Sequence, residues 1–265
     1  MNNGDGARRR VVVTGVGLIT PLGHNVPDTW SAILSGKSGL GPITLVDNPN
    51  HTIGGLCEVK DFDPAAYMDR KDARRRDRSQ QLATVAANEA MRQADLNLAE
   101  EDPERIGITL GTGIGGMRTI IEQEAILHDG GLRRLSPFGI TMIMPNGAAG
   151  MLAIDYGITG PSTTITTACA AGNDAVGHAY RAIRYGELDV VLTGGLESIL
   201  TSVAIGGFER AGASSTQSSG APQPFDANRD GLVIGEGAGM LALERLEHAQ
   251  ARGATILAEI AGYGQ

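Results

Sequence analysis

The residues best placed to do chemistry lie in the stretch Gly160 to Gly177, GPSTTITTACAAGNDAVG, with Cys169 at its centre. The β-branched run Ser162 to Thr167 predicts a short buried strand, and the alanine-rich run after Cys169 predicts a helix, so a thiol is expected at a helix N-terminus. Unpaired backbone N–H groups there, with the positive end of the helix dipole, favour a thiolate and lower a cysteine pKa below its free value of about 8.5. The same N–H groups suit an oxyanion. Ala168, Ala170, Ala171 and Gly172 leave little bulk around the sulfur, which suits a thioester approaching from outside. On spacing alone, a lone cysteine after a strand reads equally well as a small core residue.

Other clusters are weaker. Cys57 sits beside Glu58 with no helix start and is expected to be structural. Gly111-Thr112-Gly113-Ile114-Gly115-Gly116 follows the strand candidate Ile106 to Leu110 and satisfies G-x-G-x-x-G, a weak dinucleotide signal in a chain with Gly 38. Gly36-Lys37-Ser38 imitates the end of a phosphate loop, but Ser31 stands where its first glycine belongs. The run Asp226 to Gly231 imitates a calcium loop, but position 237 is Gly237 instead of glutamate, so no calcium site is expected. Arg70, Lys71, Arg74, Arg75, Arg76 and Arg78 form a basic run interleaved with acids, and Arg133 and Arg134 form a second. The default reading is a solvated surface; the alternative is a dock for an acidic partner. His178 falls more than about 10 Å along the helix from Cys169, too far for a direct pair.

The elements that must hold these residues alternate between strand and helix. Val11 to Thr14 is a strand candidate broken by Gly15, Gly17 and Pro21, followed by a helix with Asp28 as N-cap and Trp30, Ile33 and Leu34 on one face. An amphipathic helix capped at Ser79 carries Leu82, Val85, Ala86 and Met91. A small-residue helix opens at Pro145-Asn146-Gly147 and ends near Tyr156-Gly157; the helix after Cys169 stops at Gly186. Strands are expected at Asp189 to Thr193, Gly239 to Leu243 and Ile256 to Gly262, with a polar loop over 211–220 and a short helix from Leu246 to Arg252. The net charge of −8 and 4% aromatic residues argue against nucleic acid, and no run of about 18 apolar residues predicts a membrane span. Two cysteines fit a reducing compartment, so a cytoplasmic protein is expected, without cysteine-bound metal.

Taken together, VVVTGVGLITPLG (11–23), GTGIGG (111–116), MIMPNGAA (142–149), TTACAAG (166–172), DVVLTGGLES (189–198) and PFDANRDGLVIGEGAGMLALE (224–244) resemble the β-ketoacyl-acyl carrier protein synthases, elongating condensing enzymes of the thiolase-like superfamily. The resemblance spans nearly the whole chain in order. It implies an α/β fold, a βαβαβαββ half with a mixed five-stranded sheet covered by helices. Residues 1–253 would form this half and residues 254–265 the first strand of a second one.

It further implies that Cys169 accepts an acyl group from the phosphopantetheine arm of acyl carrier protein, with its own N–H as an oxyanion donor. The acyl-enzyme then condenses with the carbanion from decarboxylated malonyl-acyl carrier protein. No cofactor of the protein's own is implied. Ile114, Phe138, Gly139 and Phe208 match positions of the acyl pocket, and Gly139 replaces a residue often bulky there, which bears on acyl preference. Lys71, Arg74, Arg75, Arg133 and Arg134 match the patch that docks the carrier protein. Homodimerisation is expected by the same resemblance.

The family's two catalytic histidines, its lysine and its Gly-Phe-Gly segment have no counterpart here; His24, His51, His128, His178 and His248 sit in none of those motifs. The expectation is a fragment or one member of a split pair, with an exposed apolar face and an unpaired edge at Ile256 to Gly262, and in need of a partner. Two alternatives are a non-catalytic chain-length-factor-like subunit, against which Cys169 argues, and a thiolase-like enzyme using coenzyme A thioesters.

Overall fold

The structure, a computed structural model, describes residues 8–46, 51–216 and 222–265. Part of the loop expected over 211–220 lies outside the described residues. Strand β1 (Val11–Ile19), helix α1 (Val26–Leu34) and the single turn α2 (Arg70–Ala73) precede the long helix α3 (Arg78–Ala94). Strand β2 (Ile106–Gly111) leads through α4 (Met117–Gly130), α5 (Gly139–Ile143) and α6 (Gly147–Tyr156) to β3 (Ser162–Ile165). Then come α7 (Ala171–Arg184), β4 (Val190–Ser198), α8 (Ser202–Arg210), β5 (Glu236–Arg245), α9 (Leu246–Ala251) and β6 (Ala258–Ile260).

The strands form one mixed sheet in the order β3-β2-β4-β5-β1-β6. β2 is parallel to β3 and β4, and the remaining pairs are antiparallel. Both faces of the central strands are covered, so successive side chains enter different cores. Val190 and Leu192 pack with Leu82, Ala86 and Leu152 beneath α3 and α6, while Val191 packs with Ala179 and Ile183 of α7. Each valine, leucine or isoleucine among them contributes about 1.5–3 kcal/mol by leaving water.

Several local expectations give way to tertiary contacts. Gly15 and Gly17 do not break β1. A Cβ on Gly15 would lie 2.0 Å from the Ala90 carbonyl oxygen and one on Gly17 1.9 Å from that of Ala86, so these glycines let α3 press onto the strand. A bulge between Val13 and Gly15 shifts the register there. The cap of α1 is Asn25, whose side chain accepts from the Asp28 N–H at 2.8 Å; Asp28 belongs to the first turn. Trp30, Ile33 and Leu34 are exposed (58%, 50% and 70%), because α1 buries its Thr29 and Ala32 face instead. The cap of α3 is Asp77, in a capping box with Gln80. Its second carboxylate oxygen accepts from the Thr119 N–H and hydroxyl at 3.1 and 2.7 Å, tying α3 to the start of α4.

At the margins, β3 is an exposed edge strand rather than a buried one, since it has only β2 beside it. The five-stranded sheet becomes six-stranded because β6, shorter than expected, pairs with β1 through Val11 to Val13 and is not an orphan. No helix among the described residues is long and apolar enough to cross a membrane.

Candidate functional site

Strand β2 ends at Gly111, which pairs in parallel with Gly195 of β4, three residues before β4 itself ends at Ser198. Three glycines, Gly111, Gly172 and Gly195, let the start of α7 settle onto this pair. A Cβ on Gly111 would lie 2.1 Å from the Ala171 carbonyl oxygen, and one on Gly195 3.0 Å from the Gly172 Cα. Cys169 stands just before this helix head, in a single 3-10 turn (Ala168–Ala170) that runs into α7. Ala168 has φ +50°, a left-handed conformation uncommon for alanine that costs on the order of 1–3 kcal/mol. The thiol is exposed.

The sulfur borders a cavity of about 580 Å³. Ile114 enters it from the loop after β2 and Phe208 from α8, with Leu18, Leu196 and Ile199 completing the apolar wall. Glu197, near the end of β4, is the acidic residue in the lining. Its carboxylate accepts from the Gly113 N–H at 2.6 Å and the Thr112 hydroxyl at 3.3 Å. Burial pushes the Glu197 pKa above the usual carboxylate range, against hydrogen bonds from Gly113, Thr112, Ile114 and Ser198 that pull it down. The GTGIGG turn thus directs an amide at a carboxylate of its own protein, where a dinucleotide site would need it for a phosphate. None of the five histidines lines this cavity.

Of the expected pocket residues, Ile114 and Phe208 share the cavity with Cys169, whereas Phe138 and Gly139 do not line it. The Phe138 ring is held under the Arg75 guanidinium at 4.7 Å, and a Cβ on Gly139 would face Gln123 at 3.6 Å. Lys71, Arg74, Arg75, Arg133 and Arg134 are all exposed, and the Arg75–Phe138 stack joins the first basic cluster to the segment that follows the second. Arg76 and Arg78 are not part of that surface. Arg76 is buried against Asp155 and Thr84, and Arg78 forms a two-pronged pair with Glu236. Cys57 lies elsewhere, bridged to Gly235, and burial raises its pKa. Among the described residues no group of three or more His, Cys, Asp or Glu side chains could hold a metal ion.

The family model for the β-ketoacyl synthase N-terminal domain matches residues 8–249. The chain belongs to the β-ketoacyl synthase family. It is 44% identical over 258 residues to 3-oxoacyl-[acyl-carrier-protein] synthase 2 of Staphylococcus aureus (strain COL), covering 97% of this chain and 62% of that protein. It is 43% identical to the protein of the same name from Synechocystis, over 97% of this chain and 62% of the relative. The chain thus spans about three-fifths of the length of the curated relatives it matches. Among solved structures, the ishigamide ketosynthase/chain length factor superposes with a TM-score of 0.87 at 37% identity, covering 97% of this chain and 64% of that one. A β-ketoacyl synthase from Burkholderia phymatum gives 0.84 at 32%, with the same coverage. The AntDE:AntF complex, described as a type II polyketide acyl carrier protein with its ketosynthase, gives 0.78 at 30%, covering 96% and 68%.

Two features of this β-ketoacyl synthase chain escaped the sequence reading. One is Glu197 filling the GTGIGG turn; its signal was an acid at the end of a buried strand beside a glycine-rich loop. The other is Asp174, which accepts hydrogen bonds from Thr167 and Tyr263. It left no signal, since Tyr263 is distant in sequence.

Proposed function

We propose that this chain is the nucleophile-bearing part of a β-ketoacyl-acyl carrier protein synthase and that Cys169 is its acyl acceptor. The observation that carries the reading is the exposed thiol at the head of α7, on the wall of an apolar 580 Å³ cavity. The thiolate attacks the thioester carbonyl, and the tetrahedral oxyanion collapses by expelling the phosphopantetheine thiolate, leaving the acyl group on Cys169. Backbone N–H groups at the head of the helix, the Cys169 amide first, would hold the oxyanion. The acyl tail would lie along Ile114 and Phe208. Condensation with the carbanion from malonyl-acyl carrier protein then extends the chain by two carbons. This chain's residues account for the acyl transfer; the decarboxylation is assigned to none of them.

Lys71, Arg74, Arg75, Arg133 and Arg134 would receive the acidic carrier protein by charge complementarity. The same reading takes residues 254–265 as the first strand of a second half, expects a dimer or a complementing subunit, a cytoplasmic location and no cofactor beyond the carrier's arm.

The test is intact mass after incubation with an acyl-acyl carrier protein, for the wild type and Cys169→Ala in parallel, with acyl-coenzyme A as a second donor. A mass gain equal to the acyl group in the wild type alone, faster from the carrier protein, is expected. A folded wild-type chain that gains no mass, or gains it equally in Cys169→Ala, refutes the assignment.

A further inference from the structure

A chain of side-chain hydrogen bonds reaches the nucleophile turn from the far end of the sequence. Asp174, the fourth residue of α7, is buried (8% exposed). One of its carboxylate oxygens accepts from the Thr167 hydroxyl, and the other from the Tyr263 hydroxyl at 2.7 Å. Tyr263 is itself closely seated. Its ring covers Gly177, where a Cβ would come within 2.3 Å of it, and the Arg181 guanidinium stacks 5.0 Å from its centroid. The Tyr180 hydroxyl donates to the Ala261 carbonyl at 3.4 Å, fastening the same segment to α7.

Thr167 stands immediately before Ala168, the residue held at φ +50°, and two residues before Cys169. A residue in that conformation persists only where its surroundings hold it there. Hydrogen bonds to an ionised acceptor are roughly twice as strong as neutral ones, so the Thr167–Asp174 contact is suited to that task. We propose that Thr167, Asp174 and Tyr263 form a brace that fixes the Cys169 turn, with Asp174 as a positioning residue and Tyr263 coupling the seating of the final segment to the thiol. The two hydroxyl donors also disperse a negative charge that otherwise opposes a thiolate five residues away. The other titratable or charged groups nearby are Glu197 across the cavity, His178 one turn further along α7, and Arg181 over the Tyr263 ring.

The inference deepens the proposed function, since it concerns the same thiol, but its test needs neither carrier protein nor acyl transfer. The pH–rate profile of iodoacetamide alkylation at Cys169 would be measured by peptide mass spectrometry in the full chain, with Cys57 as internal control. Thr167→Val and Tyr263→Phe each remove a donor without changing charge. Both are expected to slow alkylation at neutral pH about three- to tenfold and to raise the profile's midpoint by about half to one unit. Thr167→Ser keeps the hydroxyl and is expected to match the wild type. Wild-type profiles in Thr167→Val and Tyr263→Phe, or a loss in Thr167→Ser equal to that in Thr167→Val, would overturn the brace. Should Thr167→Val fail to fold, Tyr263→Phe alone decides.

Discussion

Substituting Gly111 by alanine tests how the nucleophile helix is seated. A Cβ at this position would stand 2.1 Å from the Ala171 carbonyl oxygen and 2.5 Å from the Gly172 nitrogen. Both are backbone atoms, so no rotamer change relieves the clash; β2 and the head of α7 must separate by about 1 Å to reach ordinary contact. Overpacking typically costs about 1–3 kcal/mol, and a backbone-to-backbone clash belongs at or above the upper end. At about 2–4 °C per kcal/mol for a chain of this size, Gly111→Ala is expected to melt roughly 6–12 °C below the wild type. Gly150→Ala is the control. Gly150 lies inside α6 with nothing within 4 Å of an added Cβ, so this variant should gain about 0.5–1 kcal/mol through helix propensity. The shift at Gly111 also moves Cys169, and a displacement near 1 Å costs about a hundredfold in a reaction that depends on alignment. The assays are thermal melts by circular dichroism and the initial rate of Cys169 acylation. A Gly111→Ala melt within about 2 °C of the wild type, with unchanged acylation, would refute the close packing of α7 on β2 as the feature that seats the thiol.

Three further outcomes follow from charged contacts. Burial alone would raise the Glu244 pKa, but Arg252, His248 and Thr14 hydrogen-bond its carboxylate and bring it to about 2, against an ordinary 4.5. Its contribution to stability is therefore complete above 4.5 and lost as pH falls towards about 2, and Glu244→Gln should flatten that acid limb in urea titrations. His248 has the opposite sign: its bond to Glu244 raises its pKa above 6.5, so its contribution is complete below 6.5 and lost as pH rises through the folded value. A His248→Gln variant with the wild-type alkaline slope would refute that link. For docking, the double charge reversal Arg74→Glu/Arg75→Glu should slow carrier-protein association about tenfold at low salt and much less at high salt. Equal association rates at low salt would remove these residues from the docking surface.

What the sequence made legible was what depends on local periodicity. The 3.6-residue pattern of Leu82, Val85, Ala86 and Met91 located α3, and the short β-branched or apolar runs located the strands. Misreadings occurred where a residue's role is set by a distant partner. Gly15 and Gly17 looked like strand breakers because the helix that needs them small begins more than 60 residues later. Arg76 and Arg78 looked like members of a surface patch because Asp155 and Glu236, which draw them inward, are far off in sequence. Trp30, Ile33 and Leu34 looked like a core face, yet α1 meets the rest of the described protein through its smaller residues.

The candidate site divides along the same line. Cys169 was readable because strand, small residues and helix follow one another directly, and a thiol at that junction has a local physical meaning. Its environment is assembled from separate stretches: Ile114 after β2, Glu197 on β4, Phe208 on α8 and Tyr263 beyond β6. Such an arrangement is fixed by where β2 ends against parallel β4, and the pair Gly111 and Gly195 marks that line. Small residues here do more than permit turns. They bring the helix head close enough for loops from both strands to reach the thiol, so the cavity depends on residues that supply it no functional group. For this reason a single methyl group at Gly111 should disturb Cys169 more than many substitutions on the cavity wall itself.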